Sequence, residues 1–194
     1  MGSETIFDDN RVIYSMHEIK IDPSWTLFLD RDGTINRRLI GDYVKNIEEF
    51  EFLPNALEGI FELTPMFDTI VIVTNQQCIG REIITHEELK EVHDHMMDGI
   101  TAAQGRIDQI YYCPELAVYE PLCRKPNPGM AIQAQEEFPN IDFEKSIMVG
   151  DTLSDMQFGK RLGMTTVLVL DGTNADIEAD LKVSDLKNLA SYLI

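Results

Sequence analysis

The run Thr69-Ile70-Val71-Ile72-Val73 constrains this chain most. After Thr69 it is β-branched and apolar at every position, so neither face of a strand built from it can be left to water. A strand buried on both faces belongs inside a parallel sheet with helices packed above and below. Leu27 to Leu29, Ser146 to Val149, Ile107 to Tyr112 and Thr165 to Leu170 read as further strands. Helical stretches alternate with them. Pro54 suits a first helical turn and opens one through Leu63. Thr85-His86-Glu87-Glu88 has the capping-box form and opens another, to about Ala103. Gly129 to Glu137 is closed by Pro139, Thr152 to Leu162 by Gly163 as C-cap, and Asp185 to Leu193 ends the chain. The expected fold is α/β: a doubly wound, mainly parallel, five-stranded Rossmann-like sheet with helices on both faces and no large cap domain. Residues 1–24, which alternate weakly through Val12, Tyr14 and Met16, read as an N-terminal arm, and residues 25–194 as a single domain.

Charge narrows the partners. The 194 residues carry a formal net charge of −18, which disfavours nucleic acid and anionic membrane surfaces alike. An anionic substrate must then be met by a local group of cations or by a metal. Three Cys make no disulfide framework, and a reducing, cytoplasmic setting is expected. Met1-Gly2-Ser3 opens like a myristoylation site, but Ile6 stands where Ser or Thr is wanted. No secretory pattern and no apolar run of membrane-spanning length is seen. No interface stripe stands out, so a monomer is expected.

The polar residues after the strands carry the chemistry. Leu27 to Leu29 leads into Asp30-Arg31-Asp32-Gly33, two carboxylates two residues apart with a cation between them. Residues i and i+2 share a face of a strand, and a turn at its end lets the second carboxylate swing away. One could then attack while the other moves a proton. The fourth strand runs into Gly150-Asp151-Thr152-Leu153-Ser154-Asp155. Asp151 could serve merely as a helix cap, but a cap needs one carboxylate, and Asp155 lies one turn on, able to point back to the same place. Asp30, the Asp32 backbone carbonyl and Asp151 would make an all-oxygen site suited to Mg2+. Thr74-Asn75-Gln76 follows the second strand and offers a hydroxyl and backbone N–H groups to phosphate oxygens. Arg124-Lys125-Pro126-Asn127-Pro128-Gly129 sets two cations on a backbone stiffened by two prolines. Lys125 suits a phosphate and a nucleophilic carboxylate at once, and Arg124 offers a fork for a second anionic or hydroxyl group. Ligands of such sheets bind beyond the carboxyl ends of the strands, where all these segments fall. The histidines, including His93 and His95 on one helix, read as surface or structural residues.

These four segments, in this order over about residues 25–170, resemble the haloacid-dehalogenase superfamily of phosphatases. Gly41-Asp42-Tyr43-Val44, Glu49-Phe50-Glu51-Phe52-Leu53-Pro54, Ile110-Tyr111-Tyr112-Cys113-Pro114 and the Arg124–Met130 segment are similar to one branch of it. That branch holds the D-glycero-D-manno-heptose 1,7-bisphosphate 7-phosphatases and their histidinol-phosphate phosphatase relatives. The resemblance implies Asp30 as nucleophile, Asp32 as general acid and then base, and Thr74 and Lys125 as stabilisers of the phosphoryl group. It also implies Arg124 as a recogniser of substrate and Asp151 as a further Mg2+ ligand. The branch often carries a zinc loop. Here Cys113 and Cys123 match its first and last ligands, but Glu115 and Pro121 stand at the other two, so no structural zinc is expected. Gln77-Cys78 also departs from the usual Ser-Gly. The implied partner is a phosphorylated sugar. A histidinol-phosphate phosphatase, a polynucleotide 3′-phosphatase and a non-catalytic phosphosugar-binding module are the competing readings.

Overall fold

A computed structural model of the chain describes residues 18–194. A six-stranded parallel sheet has the order β3-β2-β1-β4-β5-β6. The strands are β1 (Thr26–Leu29), β2 (Thr69–Asn75), β3 (Gln109–Cys113), β4 (Ser146–Gly150), β5 (Thr165–Val169) and β6 (Leu181–Val183). Five α-helices intervene: α1 (Ala56–Leu63), α2 (His86–Ala102), α3 (Gly129–Glu137), α4 (Leu153–Leu162) and α5 (Leu186–Ala190). The chain builds outward from β1 through β2 to β3, then crosses back to lay β4 on the other side of β1. The strand order therefore reverses between β1 and β4, which pair with Thr26 opposite Ser146 and Leu29 opposite Val149. A crevice at the carboxyl ends of those two strands is where such a sheet takes its ligand.

Alternation along each strand divides the core in two. Leu27, Leu29, Ile70, Ile72, Ile147, Val149, Val167 and Val169 face one side, where they pack with residues of α1, α2 and α5. Phe28, Val71, Val73, Tyr111 and Met148 face the other, against α3 and α4. Each central strand is buried on both faces, as its unbroken apolar run requires.

Several boundaries move. The first helix starts at Ala56, because Asn55 before it takes a left-handed conformation (φ 62°), which Asn tolerates better than most residues. The Thr85 capping box and the left-handed Gly163 C-cap are both present. The sixth strand was not foreseen; Leu181-Lys182-Val183 is too short to show a period, and its central Lys suits a sheet edge. Of the predicted arm, residues 1–17 lie outside the described residues, with Val12, Tyr14 and Met16 among them. Residues 18–24 lead into β1 alongside the chain's end: Ile19 and Ile21 donate to the carbonyls of Tyr192 and Ile194, at 2.8 and 2.9 Å. The three Cys, expected to make no disulfide framework, include one joined pair, Cys113 and Cys123, their Cα atoms 5.3 Å apart. The loop from β3 folds back beside the strand's last residue and brings the two together. No helix among the described residues is long and apolar enough to cross a membrane.

Helices α1 and α5 cross at Gly59. A Cβ there would stand 2.4 Å from the Lys187 backbone nitrogen and 2.5 Å from the Leu186 carbonyl carbon. Backbone cannot yield as a flexible side chain can. Gly59→Ala is expected to lower stability by about 1–3 kcal/mol through overpacking, read as an earlier midpoint in urea unfolding. An unchanged midpoint would contradict this contact.

Candidate active site

Four chain segments meet at the crevice. Asp30 follows β1 directly, held by its own N–H, which donates to the Val149 carbonyl at 2.8 Å. The chain then turns tightly, with the N–H groups of Ile35 and Asn36 both donating to the Arg31 carbonyl. Gly33 sits in this turn at φ 95°, and a Cβ on it would fall 2.0 Å from a carboxylate oxygen of Asp151. Glycine therefore meets two needs here: the positive φ and the close approach of the β1 loop to the β4 loop.

Asp151 comes from the end of β4. It is not the helix cap: Thr152 is, with Asp155 completing a capping box by accepting from the Thr152 N–H and hydroxyl. The cap leaves the Asp151 carboxylate free to face Asp30. Asn174 holds the Asp151 backbone carbonyl at 2.8 Å. Oxygens of Asp30, Asp151 and Asp155 all lie within 4.8 Å of one another, and all three residues are buried.

Lys125 closes this group. Its ammonium lies 2.7 Å from Asp30 Oδ1 and 2.6 Å from Asp155 Oδ1, and the residue is 3% exposed. Asn75 puts it there. The Asn75 side chain accepts from the Lys125 N–H at 3.0 Å and donates to the Lys125 carbonyl at 3.1 Å, binding the end of β2 to the loop before α3. Burial opposes the ammonium's charge, but Asp155 and Asp30 outweigh it and hold its pKa above the usual lysine value. Asp30 is pushed up to about 6, chiefly by burial, with Lys125 pulling the other way. Burial and then the charge of Asp30 push Asp151 up to about 8. Crowded carboxylates with raised proton affinity and only oxygen donors are what a small divalent cation would relieve.

Asp32 lines the same cleft, but its carboxylate is held by other partners. Its carboxylate accepts from Arg31 Nη2 at 2.9 Å on each oxygen, from Asn36 at 2.9 Å and from Gln76 at 2.8 Å. Burial raises its proton affinity, but the Arg31 charge and these three donors win and hold it below the usual carboxylate range. The Asp32 carboxylate is thus held ionised and fixed in orientation. The Asp32 carboxylate is outside the acidic trio, and Asp155, not named among the expected ligands, is inside it.

Asp30, Asp32 and Asp155 line a cleft of about 320 Å³, and Asp151 lines the cavity beside it. Arg38 to Val44 form one wall; Asn75, Gln77, Arg124 and Lys125 form the other. Thr74 lines it too, its hydroxyl accepting from Gln76 at 2.9 Å. Asn75 and Gln76 spend their amides on Lys125, Asp32 and Thr74, so they shape the site through those residues. Arg124 is half-buried, with Nη1 buried and unpartnered among the described residues, and burial lowers its pKa. Arg38 was missed. Its guanidinium lies 2.9 Å from Asp151 and 4.0 Å from Asp30. The signal available was an Arg37-Arg38 pair close after Asp32 on a strongly acidic chain. His93, read as a surface or structural residue, is buried beside Arg31, with Nε2 3.1 Å from Nη1.

The comparisons with known proteins agree with this geometry. Residues 122–189 match the HAD-hydrolase-like family model, a span holding Arg124, Lys125, Asp151 and Asp155. The D-glycero-alpha-D-manno-heptose-1,7-bisphosphate 7-phosphatase of Mycobacterium tuberculosis H37Rv is 34% identical over 170 residues, covering 86% of this chain and 90% of that protein. The D-glycero-beta-D-manno-heptose-1,7-bisphosphate 7-phosphatase of Photorhabdus laumondii is 40% identical over 177 residues, covering 84% and 92%. A crystal structure of D,D-heptose 1,7-bisphosphate phosphatase from B. bronchiseptica, complexed with magnesium and phosphate, superposes with a TM-score of 0.79 at 30% identity, covering 86% of this chain and 96% of that one. With the acidic trio, the buried lysine and the strand reversal beneath them, these likenesses lead to one conclusion: the chain belongs to the haloacid-dehalogenase-like phosphatases and is a phosphoric monoester hydrolase.

Proposed function

We propose that the chain is a Mg2+-dependent phosphomonoesterase that removes the 7-phosphate of D-glycero-D-manno-heptose 1,7-bisphosphate through an aspartyl-phosphate on Asp30. The observation that carries the reading is the buried Lys125 ammonium, held between Asp30 and Asp155 at the floor of the cleft. The ammonium opposes the effect of burial on Asp30 and orients its carboxylate, and a phosphoryl group brought to it meets a cation already in position. The substrate is inferred from relatives that carry that name over most of their length. Those relatives include both the alpha and the beta forms, so the reading covers the 7-phosphate and leaves the anomer open.

Asp30 and Asp151, with the Asp32 carbonyl, would hold the Mg2+, and Asp155 lies close enough to join them or to fix Lys125 beside them. When bound, the ion supplies positive charge to the phosphoryl oxygens. The chain's own residues do the rest. Asp30 attacks phosphorus, with the Lys125 ammonium and Thr74 hydroxyl stabilising the oxygens. Asp32 starts as a base in the free protein, but the negative phosphate beside it raises its proton affinity. It can then protonate the departing sugar oxygen. Afterwards it takes a proton from the water that hydrolyses the aspartyl-phosphate. Arg124, whose Nη1 has no partner among the described residues, is suited to bind a further anionic or hydroxyl group of the substrate.

Asp30→Asn should abolish phosphate release almost completely, and near-normal turnover in that variant would remove the mechanism. Asp32→Asn should slow turnover by about 10²–10⁴-fold, the usual range for a general acid or base. Chelation should silence the enzyme, and added Mg2+ should restore it. Phosphate release from the heptose bisphosphate and from histidinol phosphate, measured side by side, tests the substrate. A strong preference for histidinol phosphate would overturn the substrate assignment. Mg2+-dependent turnover of any phosphomonoester would exclude the non-catalytic binding module.

A further inference from the structure

Arg31 is the largest fully buried side chain among the described residues, at 0% exposure. A guanidinium is always charged and can only donate hydrogen bonds. Its Nη2 lies across both oxygens of Asp32, its Nη1 faces His93 Nε2 at 3.1 Å, and its Nε has no partner among the described residues. Because Arg31 must donate, His93 Nε2 must accept, so the imidazole is uncharged and carries its proton on Nδ1. Burial, and then the positive charge of Arg31, hold its pKa down to about 3, in keeping with that assignment. The ring itself is fixed from outside, with the Tyr112 ring edge-on to it at 5.9 Å.

Stability alone is a weak reason for this arrangement. Apolar residues of similar volume commonly serve a buried site as well as an ion pair does. The arrangement acts instead on direction. Asn36 bonds one oxygen of Asp32 and Gln76 the other, and only Arg31 spans both. Among the described residues the guanidinium is anchored at its far nitrogen by His93 alone.

We propose that His93 is a positioning residue for the reaction: an uncharged acceptor on α2 that fixes the Arg31 guanidinium, and through it the orientation of the Asp32 carboxylate that moves the proton. The proposal rests on the acid–base reading of Asp32 given above. It places a functional contact on α2, which contributes no residue to the cleft lining.

The test compares substrates that differ in their need for protonation. In the heptose bisphosphate the P–O bond to the sugar's 7-oxygen breaks, so heptose 1-phosphate would leave as an alkoxide and needs an acid; p-nitrophenyl phosphate has a good leaving group and needs one little. Initial phosphorylation by each is followed by rapid quench, with Asp32→Asn as reference. Asp32→Asn should lose more rate on the sugar phosphate than on the aryl ester. His93→Leu, which removes the acceptor, should show the same bias. Its loss should be about 10–100-fold on the sugar phosphate, the scale of a small misplacement, and should fall on the rate at saturating substrate, with KM nearly unchanged. His93→Gln, whose Oε1 stands as many bonds from Cα as Nε2 does, should recover most of the rate. If thermal melting shows His93→Leu to be unfolded, His93→Asn replaces it, since its acceptor is one bond too short to reach Arg31. An equal loss on both substrates, no loss at all, or a Gln variant no better than Leu would overturn the role of His93. Absence of the bias in Asp32→Asn itself would overturn the reading of Asp32 instead.

Discussion

A single buried ammonium makes the rest of this site tenable. Asp30, Asp151 and Asp155 would repel one another across a few ångströms of protein interior, and burial, with the neighbouring carboxylates, drives two of them toward the protonated form. Lys125 meets Asp30 and Asp155 directly, and Arg38 meets Asp151. Three carboxyl groups thus face two cations, and with all three ionised the centre would be short of positive charge. The same residues that make the pocket costly to build are the ones that would receive the proposed divalent ion.

The sheet converts this electrostatic problem into a geometric one. β1 and β4 lie side by side and deliver Asp30 and Asp151 to adjacent positions at their ends. β2, on the other side of β1, delivers Asn75, whose side chain grips the Lys125 backbone at two points. Lys125 therefore depends on a neighbouring strand end for its place, although it lies on a loop. The supporting polar residues Asn75, Gln76 and Asn36 form a layer around the reactive groups and fix them without themselves offering charge. Precision in such a site comes from that layer.

Much of this could be read from the chain. Unbroken β-branched runs disclosed the buried strands, and the carboxylates that follow them disclosed the crevice. The fold and the enzyme class follow from those features and are matched by relatives over most of the chain. What escaped was information that exists only in three dimensions. Asn75 and Gln76 were correctly placed at a strand end, but no pattern tells that their amides turn toward Lys125 and Asp32. Asp155 showed its helical spacing, not that one carboxylate would both cap a helix and pair with a lysine. Arg38 lies in an irregular segment with no period to follow. His93 looked like a structural residue because its partner, Arg31, is 62 positions away along the chain.

The pairing of the chain's end with Ile19 and Ile21 carries a consequence for handling this molecule. The Ile194 N–H donates to the Ile19 carbonyl at 3.1 Å, so the last residue lies against the segment that enters β1 from the end opposite the cleft. A tag or substitution that pulls residues 192–194 away would release the backbone that braces the entry to β1, the strand that delivers Asp30.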